Sequence, residues 1–158
     1  MNESQFYLAR VHINKGHHTK ALPILEKLYE KQPEQTRYAF HLAKYYNALG
    51  RISDCRKVVK GILKREKKEY PQLDLLQGTL SLAEGRYDKA LLFLFKAEQA
   101  DPRLPTLHKQ IGKVYLKMRR MKDAERTFLK ALSIDPDSAI AYRGLASMKE
   151  QLKLLRFA

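Results

Sequence analysis

The stretch "IGKVYLKMRRMKDAERTFLKALSIDP" runs from Ile111 to Pro136. Apolar residues recur in it at three- and four-residue intervals, the period of an amphipathic helix, and the recurrence breaks once near Arg119 and Arg120. The spacing predicts two antiparallel helices with little loop between them. Gly112 and Ala124 would let the two helices approach closely, while Ile111, Tyr115 and Phe128 would fill the seam. Nothing in the stretch looks like chemistry; its residues are chosen for packing.

The same spacing returns along the chain. With Pro105 as position 1, Gly112 is position 8, Tyr115 is 11, Ala124 is 20, Phe128 is 24, Ala131 is 27 and Pro136 is 32. Counting from Pro71 instead gives Gly78, Gly85, Tyr87, Ala90, Leu94, Ala97 and Pro102 at 8, 15, 17, 20, 24, 27 and 32. A copy from Thr36 gives Leu42, Ala43, Tyr46, Gly50, Cys55 and Val59 at 7, 8, 11, 15, 20 and 24. One from Asn2 gives Leu8, Ala9, Gly16, Ala21, Leu25 and Pro33 at 7, 8, 15, 20, 24 and 32, and a partial one from Ala139 gives Tyr142, Leu145 and Ala146 at 4, 7 and 8. One helix pair cannot bury its own apolar face, but stacked pairs can. Gly16, Gly50 and Gly85 suit the turn after a first helix, where a positive φ is wanted. Pro71 and Pro105 suit the first turn of a helix, where no intrahelical bond is lost, and Pro23 falls in the first turn of its own helix. Helices are expected near 2–15, 19–32, 36–49, 53–67, 71–84, 87–101, 105–118, 121–134 and 139–154.

This pattern resembles the tetratricopeptide repeat (TPR) family, over nearly the whole chain. The resemblance implies an all-α, right-handed solenoid of antiparallel helix pairs: repeats 2–35, 36–70, 71–104 and 105–138, then one additional C-terminal helix in a partial repeat 139–158. Residues 1–158 would form a single domain. Two departures stand out. The second copy is one residue longer and has Lys67 where Pro is usual, and the fourth has Arg119 where Gly is usual.

Composition narrows the function. The chain has 158 residues, no Trp and one Cys, so no intramolecular disulfide framework can exist, which suits a cytoplasmic protein. No apolar run is long enough to span a bilayer. The N-terminus lacks a basic start followed by an apolar stretch, so no secretory signal is expected. The net charge is +14, and the second copy carries half of it, with ten Lys and Arg against three Asp and Glu. Along "CRKVVKGILKREKK", Arg56, Lys60, Lys64 and Lys68 recur every four residues opposite the apolar Cys55, Val59, Ile62 and Leu63. That stripe reads first as a solvated face. It would suit nucleic acid by charge, but no aromatic residue interleaves it.

Catalytic readings find little support. His12, His17 and His18 lack neighbouring Cys, Asp or Glu at ligand spacing, so neither metal nor cofactor is expected. Cys55 occupies the small-residue position 20 and reads as a buried structural thiol. Asp54, Asp88 and Asp123 open second helices, where a carboxylate favours the helix dipole. No nucleophile–base arrangement or phosphate loop can be assembled, so the chain does not read as an enzyme.

In proteins that this chain resembles, positions 2, 5, 6, 9, 12 and 13 of successive first helices line a concave groove that receives peptides. Carried over, the groove residues are Phe6, Arg10, Phe40, His41, Lys44, Leu75, Leu76, Lys109 and Lys113. The expected function is non-catalytic protein or peptide recognition, as a scaffold or assembly module, with a partner bearing acidic and apolar residues. The two-carboxylate clamp of some TPR domains is disfavoured. Phe6, Arg10, His41, Gln72 and Leu76 stand where it needs Lys, Asn, Asn, Lys and Arg, and the next window (Phe40, Lys44, Leu76, Thr106, Gln110) fits no better. The alternatives are a basic solenoid binding nucleic acid or an anionic surface, and an accessory segment of a larger enzyme. The last helix carries Leu152, Leu154, Leu155 and Phe157 with no following helix to cover them, so self-association there is a further expectation.

Overall fold

The structure, a computed structural model, describes residues 1–68 and 70–156. Phe157 lies outside them. The described residues form nine helices and no strand: α1 (Asn2–Asn14), α2 (His18–Lys31), α3 (Thr36–Ala48), α4 (Ile52–Arg65), α5 (Pro71–Ala83), α6 (Tyr87–Ala100), α7 (Leu107–Lys117), α8 (Met121–Ile134) and α9 (Ala139–Arg156). They fall into two compact units, 1–69 and 70–158. In the first, α1 pairs with α2 and α3 with α4, and α2 packs on α3. In the second, α5 pairs with α6 and α7 with α8; α6 packs on α7, and α8 on α9. Also in contact there are α5 with α7 and α7 with α9, so the first helices of successive repeats lie side by side.

The small residues do what their spacing implied. Ala21, Cys55, Ala90 and Ala124, all at position 20, are fully buried. So are Leu25, Leu94 and Phe128 at position 24, while Val59 is nearly so. A Cβ placed on Gly78 would stand 2.6 Å from Leu94 Cγ, and one on Gly112 2.6 Å from Phe128 Cε1. One on Gly144 would also fall 2.6 Å from Phe128 Cε1. The Phe128 ring on α8 is thus seated against bare backbone of both α7 and α9. Toward the chain's ends two repeat positions are more open: position 7 in the first copy and position 8 in the last. Leu8 is 47% exposed, and Ala146 is exposed as well. Leu152, Leu154 and Leu155 are also exposed.

The four turns inside the repeats share one hydrogen-bond pattern. The amides of His17, Arg51, Arg86 and Arg120 donate to the carbonyls of His12, Tyr46, Ser81 and Tyr115, five residues back, at 2.8–2.9 Å. This is the bond that closes a Schellman helix end. It requires a left-handed residue just before the donor. Gly16, Gly50 and Gly85 supply it with φ of 72°, 74° and 75°, and in the fourth turn Arg119 adopts φ 59°. A side chain in that conformation costs about 1–2 kcal/mol. The closing bond from Arg120 to Tyr115 survives the missing glycine.

Helix bounds match the sequence expectation to within two residues at every end. Pro71 begins α5, as expected, but Pro105 does not lie in a helix. Instead Thr106 takes a left-handed φ of 69° and α7 starts at Leu107. The turn lets Leu104, only 6% exposed, reach the core of the second unit. At the other end, Ser138 Oγ accepts the Ala141 amide at 3.2 Å and caps α9.

Two substitutions test this packing. Ala124→Leu forces extra volume between α7 and α8 and should destabilise by about 1–3 kcal/mol. Phe128→Ala should destabilise by about 3–5 kcal/mol by leaving a cavity. Both are read from urea unfolding followed by circular dichroism; unmoved midpoints would show that the register is misassigned.

Candidate functional site

Once positions 7, 8 and 11 are spent on packing, positions 2, 5, 6 and 9 of each first helix are left to form a surface. In the first unit this surface is basic and aromatic. Arg10, Arg37 and Lys44 are exposed, Tyr7 is 53% exposed, and Phe40 and His41 are half-buried. The Arg37 guanidinium lies 4.4 Å from the centroid of Phe6 and 5.8 Å from that of Tyr7, and the Arg10 guanidinium 6.0 Å from Tyr7. His41 meets Phe6 edge-on at 5.0 Å and Phe40 at 6.0 Å. The rings hold the guanidinium planes in place by cation–π attraction.

His41 reports how crowded the cations are. Its pKa is lowered to about 4, first by burial, then by Lys44, Arg10 and Arg37. The imidazole is therefore neutral at pH 7 and offers a hydrogen bond without adding charge. Among the described residues the one carboxylate paired with this cluster is Glu3, 3.3 Å from Arg37, with both side chains well exposed. So exposed a pair is weak and screened by solvent, so an incoming carboxylate can displace it.

In the second unit the first-helix surface is less polar. Leu82, Ala83, Tyr87, Lys113, Leu116 and Lys117 line a cavity of about 550 Å³. Burial, with Arg143 nearby, lowers the Lys113 pKa. Lys109 is committed elsewhere: its ammonium donates to Asp135 Oδ2 at 3.2 Å and is mostly covered. Leu75 is half-buried against the core.

The sequence-predicted residues therefore divide. Arg10, His41, Phe40 and Lys44 come together on the first unit, and Lys113 lies on the second. Phe6 and Leu76 are 0% and 4% exposed, so neither offers a contact surface. Phe6 is instead the floor on which Arg37 stacks. Arg37 was not among the expected residues, although it stands at a groove position (2) of its repeat, and Tyr7 and Arg143 stand at positions 6 and 5, which were expected to face the groove.

A second recurring cluster also escaped the sequence reading. Arg51 stacks 4.6 Å from the Tyr46 ring and pairs with Asp54 at 2.8 Å, and Arg120 stacks 4.9 Å from Tyr115 and pairs with Asp123 at 2.9 Å. Each cluster ties a second helix to the turn before it. Of the three N-terminal histidines, His12 and His17 have rings 5.8 Å apart, and His18 bonds Tyr45. Among the described residues no three His, Cys, Asp or Glu side chains are grouped to hold a metal, and no helix is long and apolar enough to cross a membrane.

The depressed His41 pKa has a consequence for stability. The unfolded chain takes up a proton near pH 6.5, but the folded chain only near pH 4. The contribution is thus complete above about pH 6.5 and is lost as pH falls toward 4. Allowing for the ring's partial exposure, it amounts to about 1–2 kcal/mol. Urea midpoints at neutral and mildly acidic pH should show wild type losing more stability than His41→Gln; equal losses would contradict the assignment.

A family model described as tetratricopeptide repeat matches residues 6–80 and 81–148. No curated protein matches the sequence. Among solved structures, TTC0263, a thermophilic TPR protein of Thermus thermophilus, aligns with a TM-score of 0.75 at 24% identity, over 94% of this chain and 81% of its own. A MamA protein structure aligns at 0.65 and 18% identity, over 97% of this chain and 83% of its own. A chain of the APC/C hetero-tetramer Cut9–Hcn1 aligns at 0.78 and 17% identity, over 94% of this chain but 30% of its own. At these identities the likeness is one of fold.

Proposed function

Because the chain belongs to the tetratricopeptide repeat family, we propose that it is a non-catalytic protein- or peptide-recognition module, acting as a scaffold or assembly unit. Its ligand is an acidic segment carrying apolar residues, taken up on the first-helix surfaces. The observation that carries this reading is the convergence of Arg10, Arg37 and Lys44 on the neutral His41 imidazole, above the buried Phe6. Three cations crowded without an equal number of carboxylates repel one another, and an anionic partner relieves that repulsion. Fixed guanidinium planes suit the bidentate geometry of a carboxylate. Lys113, with Arg143 beside it, offers the second unit's counterpart, next to an apolar cavity that can take a leucine or an aromatic ring.

The Cut9–Hcn1 likeness favours an assembly role, since that chain sits in a hetero-tetramer. Residues 1–158 act in this reading as one domain, in the cytoplasm. The exposed Leu152, Leu154 and Leu155 extend it to contacts between copies of the chain.

A crosslinking pull-down tests the surface. Lys44→Glu combined with Lys113→Glu should reduce recovery of the wild-type partner at least about tenfold, a loss of about 1.4 kcal/mol or more. Undiminished recovery, with the helical circular dichroism intact, would overturn the reading.

A further inference from the structure

The strongest charge on the first unit lies away from its first-helix surface. Between Ile52 and Lys68 the chain has seven Lys and Arg and two carboxylates. Both carboxylates are engaged: Asp54 accepts from Arg51 at 2.8 Å, and Glu66 accepts the Thr36 hydroxyl. Arg65 lies over Gly61, its guanidinium 3.6 Å from where a Cβ would stand, and is itself exposed. The other six, Arg56, Lys57, Lys60, Lys64, Lys67 and Lys68, are all exposed. The opposite side of α4 is buried through Cys55, Val58, Val59 and Ile62, which fixes the helix in rotation. Arg56, Lys60 and Lys64 therefore form a row with about 6 Å between successive residues along the axis.

We propose that this face of α4 binds the sugar–phosphate backbone of double-stranded nucleic acid, without regard to sequence. The observations favour that occupant over other polyanions. A rigid, straight row of cations fits a rigid polyanion with one phosphate per about 3.4 Å of each strand. Single strands are held by stacking on aromatic side chains, and the exposed side chains of this face include none. An amphipathic helix that enters a membrane surface inserts its apolar side, but that of α4 is buried in the fold, leaving Leu63 at 44% exposure. The site is separate from the first-helix surface and does not depend on the peptide-binding reading.

Fluorescence anisotropy with a labelled random duplex of about 20 base pairs, on the full chain across about 50–200 mM salt, tests the proposal. With about four phosphates neutralised, the slope of log K against log salt should be near −3.6, so affinity should fall about a hundredfold over that range. The triple variant Lys57→Gln, Lys60→Gln, Lys64→Gln touches only exposed side chains. It should bind at least tenfold more weakly and lose about two to three units of that slope. Lys44→Glu, on the first-helix surface, should bind duplex within about threefold of wild type if the contact is local rather than a product of net charge. Three results would overturn the proposal. One is no duplex binding at the lowest salt, and another is a triple variant that binds as well as wild type. The third is binding to mixed phosphatidylcholine–phosphatidylserine vesicles that the triple variant abolishes, in the absence of duplex binding.

Discussion

The Phe128 ring, held against the bare backbone of Gly112 on α7 and Gly144 on α9, sets the geometry of the second unit. A glycine inside a helix costs about 1 kcal/mol relative to alanine, and these two stand within α7 and α9. They are tolerated because any side chain there would fall inside the ring. The same arrangement appears one repeat earlier, where Leu94 sits against Gly78. Small residues on first helices and large ones on second helices let the backbones close up. First helices of successive repeats are thereby brought side by side, as α5, α7 and α9 are.

That packing decides which residues are left for function. Seam positions take the apolar and small side chains, and the remaining first-helix positions are free to carry charge. In the first unit they carry Arg10, Arg37 and Lys44, close enough to add to the burial that keeps His41 neutral. Isolated cations would stay solvated; on this surface the two arginines are ordered by the rings of Phe6 and Tyr7. The buried face of α4 likewise fixes which of its residues point outward, so the basic row is a by-product of a well-packed helix. One scaffold thus presents two cationic surfaces with different chemistry, one aromatic and one not.

Much of this was legible in the sequence because the repeat register is a packing rule. Ala21, Cys55, Ala90 and Ala124 differ in chemistry but share a small volume, and all are fully buried. The misses have physical causes. Pro105 has the look of a helix start, but burial of Leu104 is better served by a turn through Thr106, a tertiary demand that no local pattern reveals. Phe6 stands at a nominal surface position, yet Tyr38 and His41 at 5.3 and 5.0 Å enclose it. Lys109 also holds a surface position but is drawn to Asp135, 26 residues on. The Tyr–Arg–Asp clusters could have been found, since Tyr46, Arg51 and Asp54 share repeat positions with Tyr115, Arg120 and Asp123. Arg37 needed only the same comparison at position 2 of its repeat.

The claim that ring and glycine specify one another is tested most directly by a double-mutant cycle on Gly144→Ala and Phe128→Leu, measured by urea unfolding. Alanine's greater helix propensity and the smaller volume of leucine contribute additively and cancel in the cycle. What remains is the clash between the new methyl and the ring, which only Phe128 can make. The account predicts that Gly144→Ala is less destabilising in the Phe128→Leu background by about 1 kcal/mol or more. Effects that add to within about 0.5 kcal/mol would contradict it.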